Sequence, residues 1–385
     1  MDASLIGDTI FTSNKKSRMK IAILGTRGVP ANYGGFETCA EEISVELVRR
    51  GHEVIAYGRK GNYNDKEKYY KGVRLYHMPR IKGKVTETFS NTLFAMLHVI
   101  FKKVDVIYVM NAANSPLCII PWLLRKKVVI NVDGLEWKRK KWGKFARSYY
   151  QFAEKLSTIF SNRVISDSMG IKDYYLERYK TDSTFIAYGA QIEQSERPEI
   201  LKEYGLEPGS YFFVASRLEP ENNADLTVKA FEKVKTDKKL IIAGGANYKS
   251  SFIEELRKTT DPRIQFLGAI YKEGHIKELH CHCYAYVHGN EVGGTNPALL
   301  KALGYGNTVL ALDVPFNSEV VKDGGVMYER SVDDLAAKMQ HLVDDPELTA
   351  SYKPKAINRI LTDYTWKKIT DEYEAFFEDV IKGVY

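Results

Sequence analysis

Several things are scarce in this chain, and each shortage removes a class of protein. Four cysteines in 385 residues, Cys39, Cys118, Cys281 and Cys283, are too few for a disulfide-stapled scaffold and suit a reducing compartment. No apolar run reaches the ~18–20 residues needed to span a bilayer. The longest, Thr92–Phe101, falls well short and carries His98. Met1–Arg18 is mostly polar and ends in Lys15-Lys16-Ser-Arg18, so residues 1–18 read as a flexible leader, not a secretion signal. G-x-x-x-x-G-K-[ST] does not occur, which argues against a P-loop nucleotidase. A nicotinamide dehydrogenase needs G-x-G-x-x-G after its first strand and a carboxylate ending its second. Here Gly25-Thr-Arg-Gly28-Val-Pro30 has the wrong spacing and Tyr57-Gly-Arg59 stands at the second place.

What is present describes a folded chain. The apolar fraction is 44% and the charged fraction 27%, and the length suits two domains. The net charge of +7 is concentrated at Arg125-Lys126-Lys127 and Lys138-Arg139-Lys140-Lys141, with Lys144 and Arg147 beyond. No nucleic-acid module accompanies these clusters. Trp137, Trp142, Phe145, Tyr149, Tyr150 and Phe152 interleave with them. The region 125–152 therefore reads as peripheral contact with an anionic membrane, or as a solvated basic helix face. His280-Cys-His-Cys283 resembles a metal cluster, but on a strand alternate side chains diverge, so Cys281–Val287 reads as a buried strand and no metal is expected.

Strand and helix patterns alternate twice. Lys20–Leu24, His52–Tyr57, Val104–Met110, Lys127–Val132 and Arg163–Ser166 read as strands, with a helix from Phe36 to Arg50. After the polar stretch Gln191–Pro208 the pattern restarts with strands Tyr211–Ala215, Leu240–Ala243 and Ile264–Leu267 and helices Asn223–Val234, Ser251–Thr259 and Glu273–Leu279. Thr308–Leu312, helix Val332–Val343 and helix Trp366–Lys382 follow. The expected fold is α/β, two Rossmann-like doubly wound domains, 19–190 and 205–365, with residues 366–385 packing back on the first. A ligand is expected in the cleft between them.

The strongest local signal is Val292-Gly-Gly-Thr-Asn-Pro-Ala-Leu-Leu-Lys301-Ala-Leu-Gly-Tyr-Gly306. Gly293 and Gly294 permit close backbone approach, Thr295-Asn296 can cap the next helix, and Pro297 suits its first turn. Free amides at a positive helix end suit a phosphate.

Met19-Lys-Ile-Ala-Ile-Leu-Gly-Thr-Arg-Gly-Val-Pro-Ala-Asn-Tyr-Gly-Gly-Phe-Glu-Thr38, Asn131-Val-Asp-Gly-Leu-Glu-Trp-Lys-Arg139, Ser216-Arg-Leu-Glu-Pro-Glu-Asn-Asn223 and the Gly293 motif are the other long signals. In these segments the chain resembles bacterial rhamnosyltransferase-like members of glycosyltransferase family 4. The resemblance implies a GT-B fold, an acceptor on the N-terminal domain, a nucleotide-sugar donor on the C-terminal domain, retention of configuration and no bound metal or other cofactor. By the same resemblance Gly34 and Gly35 face the donor across the cleft, Arg217 clamps its diphosphate, and the loop Gly268-Ala-Ile-Tyr271 contacts the base, with Tyr271 a stacking candidate. Asp133 is placed to position the acceptor hydroxyl or take its proton, and Glu136 is a second candidate for that duty.

Two departures stand out. Many relatives carry Glu-x7-Glu at the glycine motif, where this chain has Gly293 and Lys301; Glu291 is a candidate substitute for the first. Asn222 stands where a phosphate-binding lysine is common. A carboxylate accepts hydrogen bonds from two ribose hydroxyls, whereas Lys301 only donates, which agrees with a deoxyribose donor such as dTDP-rhamnose. The expectation is transfer of L-rhamnose to a polysaccharide or lipid-linked acceptor, in the cytoplasm at the inner face of the plasma membrane. A nucleotide-sugar epimerase and a non-catalytic nucleotide-sugar binder of the same fold are the alternatives.

Overall fold

The computed structural model describes residues 17–32, 34–83, 86–132, 134–139, 142–245 and 250–384. Most of the expected leader, and Asp133, lie outside them.

The first domain is an eight-stranded sheet: β1 Lys20–Leu24, β2 Glu53–Arg59, β3 Tyr69–Tyr70, β4 Val73–Met78, β5 Val106–Met110, β6 Val128–Asn131, β7 Arg163–Ser166 and β8 Thr184–Phe185. Their order is β3-β4-β2-β1-β5-β6-β7-β8, parallel except for the β3–β4 pair. The central strands are buried on both faces, which is why they read as continuous apolar runs such as Val106-Ile-Tyr-Val-Met110. The second domain holds β9 Tyr211–Ala215, β10 Lys239–Ala243, β11 Ile264–Gly268, β12 Ala285–His288, β13 Val309–Leu312 and β14 Gly325–Tyr328, in the order β11-β10-β9-β12-β13-β14. All its pairs are parallel. The strand order reverses between β1 and β5 in one sheet and between β9 and β12 in the other, which opens a crevice at the carboxyl ends of those strands.

Helices cover both sides of each sheet. On the N-terminal sheet, helices Thr86–Val99, Lys144–Ile159 and Met169–Tyr179, with the segment 112–123, pack Met96, Val99, Leu117, Ile171 and Tyr175 against one side. Helices Gly35–Arg49 and Trp366–Lys382 pack against the other, around Ile43, Leu47, Tyr373 and Phe377. The last helix is tied down by polar contacts as well. Arg50 Nη1 donates to Asp371 and Glu374 at 2.7 Å each, His52 Nε2 lies 3.0 Å from Glu374 Oε1, and the Tyr108 and Tyr373 hydroxyls meet at 2.9 Å. A bridge between Ala190 and Thr365 joins the two interdomain crossings.

One sequence expectation fails outright. The stretch 280–283 is not in a strand: helix His275–His282 runs through it, and the strand begins only at Ala285. Glu278 and His282, one turn apart, both reach Ser195 of the interdomain linker, at 2.6 and 2.8 Å, and this pair is made only on a helix. His280 is buried beside Phe213, Tyr286 and Tyr305, with Nδ1 2.7 Å from Asn307 Oδ1. Among the described residues no three His, Cys, Asp or Glu side chains gather as a metal-holding group.

Candidate functional site

The cleft is framed by two glycine pairs. Gly34 caps helix Gly35–Arg49 in an extended conformation, and the preceding loop is pinned by that helix's own carboxylates. Glu37 accepts from the Arg27 amide at 2.9 Å, and Glu41 from the Ala31 amide at 2.7 Å. Across the cleft, Asn296 caps helix Pro297–Gly304, its Oδ1 accepting from the Ala298 amide at 2.9 Å. Of the expected Thr295-Asn296 cap, Asn296 does the capping and Thr295 reaches the other domain, donating from Oγ1 to the Asp167 backbone carbonyl. Gly293 has φ of +152°, which an L side chain rarely adopts.

The two walls touch through residues without side chains. A Cβ on Gly35 would come within 2.8 Å of Pro297 Cγ, and one on Gly134 within 2.6 Å of Gly293 Cα. A Cβ on Gly294 would land on the Asp167 carboxylate. Three backbone positions therefore set how closely the domains approach. Arg139 adds a charged contact: its Nη1 lies 3.9 Å from Glu221 Oε1 on the facing domain.

The cations of the C-terminal wall are open. Arg217 follows β9, is exposed, and makes no ion pair among the described residues, Glu219 included. Asn222 fixes the turn beneath it, its Nδ2 donating to the Arg217 carbonyl at 2.7 Å. Lys301 projects from helix Pro297–Gly304 and, with Ala215, Lys272, His280, Ala298 and Tyr305, lines a pocket of about 430 Å³. Tyr271, beside this region, is 86% exposed. An exposed arginine, an exposed lysine and a capped helix end on one wall form an arrangement for a phosphorylated ligand.

Carboxylates near the cleft are more committed. Glu291 Oε2 accepts from Asn223 Nδ2 at 3.2 Å and pairs with Arg330 Nε at 3.1 Å. Glu136 is held by Arg139 at 2.6 Å and by Trp142 Nε1 at 3.0 Å. Asp133 lies outside the described residues, between the end of β6 and Gly134. Burial pushes His288, at the end of β12, down to about 3, and His280 down to about 4, so both imidazoles are neutral at ordinary pH.

Asp167, fully buried at the carboxyl end of β7 and facing Gly294, was not singled out by sequence. Next to it, Ser168 caps the following helix, its Oγ accepting from the Ile171 amide at 3.3 Å. The available signal was position, since a polar residue ending a buried parallel strand lies at the crevice.

The two facing α/β domains have the fold of GT-B glycosyltransferases. Sucrose-phosphate synthase from Thermosynechococcus elongatus is similar over 95% of this chain and 100% of its own, with a TM-score of 0.77 and 16% identity. HepE from Anabaena, solved in complex with UDP-glucose, is similar over 94% of this chain and 100% of its own, with a TM-score of 0.76 and 16% identity. WaaG, a glycosyltransferase involved in lipopolysaccharide biosynthesis, is similar over 95% and 100%, with a TM-score of 0.70 and 14% identity. More particularly, residues 196–359 match the family Glycosyl transferases group 1. Residues 94–191 match Domain of unknown function (DUF1972). No curated protein matches in sequence.

Proposed function

We propose that the protein is a retaining, metal-independent glycosyltransferase that moves L-rhamnose from dTDP-rhamnose to a polysaccharide or lipid-linked saccharide. The work belongs to cell-surface glycan synthesis at the cytoplasmic face of the plasma membrane. The observation that carries this reading is the wall holding Arg217, Lys301 and the capped Gly293–Asn296 turn, opposite Gly34 and Gly35. HepE, of the same fold, is solved with UDP-glucose, which supports a sugar nucleotide as the ligand class. WaaG acts in lipopolysaccharide biosynthesis, which supports a glycan or lipid-linked acceptor.

In this mechanism the diphosphate lies between the walls, its oxygens on Arg217 and the amides of Gly294–Asn296. Charge develops on the departing diphosphate as the sugar bond breaks, and these donors stabilise it. The leaving oxygen takes the acceptor hydroxyl's proton while that hydroxyl attacks the same face of the sugar, and Asp133 orients the acceptor. Closure of the glycine-lined walls keeps water from competing. Lys301 faces the nucleoside ribose, where it suits a deoxyribose better than a carboxylate would.

Mass spectrometry of products from dTDP-rhamnose and a set of lipid-diphosphate sugars tests the reading. Addition of a deoxyhexose to an acceptor is the expected result. A changed donor sugar without acceptor would replace transfer by epimerisation, and donor binding with no product would leave a non-catalytic binder.

A further inference from the structure

We infer that the outer surface of the helical layer on the N-terminal sheet docks on an anionic lipid bilayer. The layer comprises Thr86–Val99, the segment 112–123, Lys144–Ile159 and Met169–Tyr179. Its inner residues share one core with the sheet, so its outer residues face away from the protein on one side. That outer side is unusually apolar for a solvent-facing helical layer. Phe94, Leu97 and Phe101 follow one stripe and are exposed, Phe101 by 83%. Ile119, Trp122, Leu123 and Leu124 are exposed next in the chain, with the Trp122 ring 5.5 Å from that of Phe160. Along Lys144–Ile159, Phe145, Phe152 and Ile159 recur every seventh residue on the open side, Phe145 being 89% exposed.

The charges on the segments that carry these tips are mostly positive, whereas Met169–Tyr179 adds exposed Asp173 and Glu177 at the far side of the layer. Residues 88–166 contain thirteen Lys and Arg and four carboxylates. Of those four, Glu154 is buried and accepts from Tyr174 and Tyr179, Glu136 is held by Arg139 and Trp142, and Asp105 accepts from the Lys20 amide. Exposed Lys103, Arg125, Lys144, Arg147 and Lys155 form no ion pair among the described residues. Apolar tips and cations without ion pairs among the described residues, exposed on the same segments, match the acyl–headgroup boundary, where the tips insert and the cations meet lipid phosphates.

The structure also alters which residues of the basic and aromatic stretch are available. Trp142, Tyr149 and Tyr150 are half-buried, with Tyr149 donating to the Ala113 carbonyl at 2.8 Å, so Phe145 and Phe152 carry that stretch outward. Lys140 and Lys141 lie outside the described residues. No described helix is long and apolar enough to cross a membrane, so the proposal is contact with one leaflet.

The surface stands apart from the sugar-transfer reading, because its test reads binding without turnover. The full chain is sedimented with phosphatidylcholine vesicles and with vesicles containing phosphatidylglycerol, at low and high salt. Binding to the anionic vesicles, weakened by salt and absent from the neutral ones, is expected. Two variants divide the contributions, Leu123→Ser/Leu124→Ser/Phe152→Ser and Lys103→Glu/Arg125→Glu/Lys155→Glu. Each is expected to weaken partitioning roughly tenfold or more with an unchanged circular dichroism melt. No binding, equal binding to both vesicle types, or binding unchanged in both variants overturns the proposal. So does single-stranded RNA displacing the protein from vesicles at equal phosphate concentration, which would make the surface a polyanion site. If a variant melts early, the single change Phe101→Ser, at a more exposed position, decides.

Discussion

On the C-terminal wall of the cleft, Arg217 and Lys301 are exposed and lack ion pairs among the described residues, whereas Asp167, a carboxylate of the N-terminal wall, is buried against Gly294. Both walls are built the same way, from loops at the carboxyl ends of parallel strands and a glycine pair before a helix. The difference assigns roles that the shared architecture does not. An anion is favoured on the wall with open cations, and close approach is set from both sides, by Gly35 and Gly134 on one wall and Gly294 on the other.

The comparison breaks most severely at Arg217. Arg217→Ala is expected to lower turnover by ~10²–10³ if the guanidinium acts on the transition state, with little change in thermal stability. Near-normal turnover would remove it from the mechanism. Gly294→Ala tests the approach of the two walls: its Cβ meets the Asp167 carboxylate on the facing domain, so the walls are held apart and turnover drops by about 10². Donor affinity measured alone is expected to fall less than turnover, and an equal fall in both would assign Gly294 to binding only.

A third prediction concerns acid. Both His280 and His288 are buried in the C-terminal domain with pKa values of about 4 and about 3, below the unfolded value of 6.5. Protonation therefore favours the unfolded chain, and stability is full above about pH 6.5 and falls as pH drops toward these values. Between pH 7 and 5 the loss is about 2 kcal/mol per histidine. Amide exchange in β9 and β12 should accelerate at pH 5 beyond its intrinsic pH dependence, and unchanged protection would contradict this. The smallest expected effect is at Lys301. Lys301→Glu should weaken dTDP and favour UDP, a relative change of about tenfold. An unaltered ratio would remove Lys301 from nucleoside selection.

The inner strands of both sheets and the glycine pairs were legible because their signals are local, whereas β3, β4, β8 and β14, at the sheet edges or beside them, were not read. Apolar strands and adjacent glycines before a helix carry their meaning in a few residues. The segment 112–123 was not legible, because Pro116 and Pro121 interrupt its helical pattern and its folding rests on packing of Leu117 and Cys118. The stretch 280–283 was misread because its partners are distant in sequence, Ser195 for His282 and Asn307 for His280. Arg139 read as part of a basic patch, yet it reaches Glu221 across the cleft, a pairing that depends on how two domains meet. Asp167 was hidden for the same reason, since its neighbour Gly294 lies 127 residues away.

The central claim is that the C-terminal wall holds a nucleoside diphosphate through Arg217, and isothermal titration with dTDP, UDP and GDP tests it most directly. The account predicts tightest binding of dTDP to the unaltered chain and at least tenfold weaker binding to Arg217→Ala. Clear preference for UDP or GDP would contradict the assigned donor, and equal affinity in the two proteins would contradict the assigned wall.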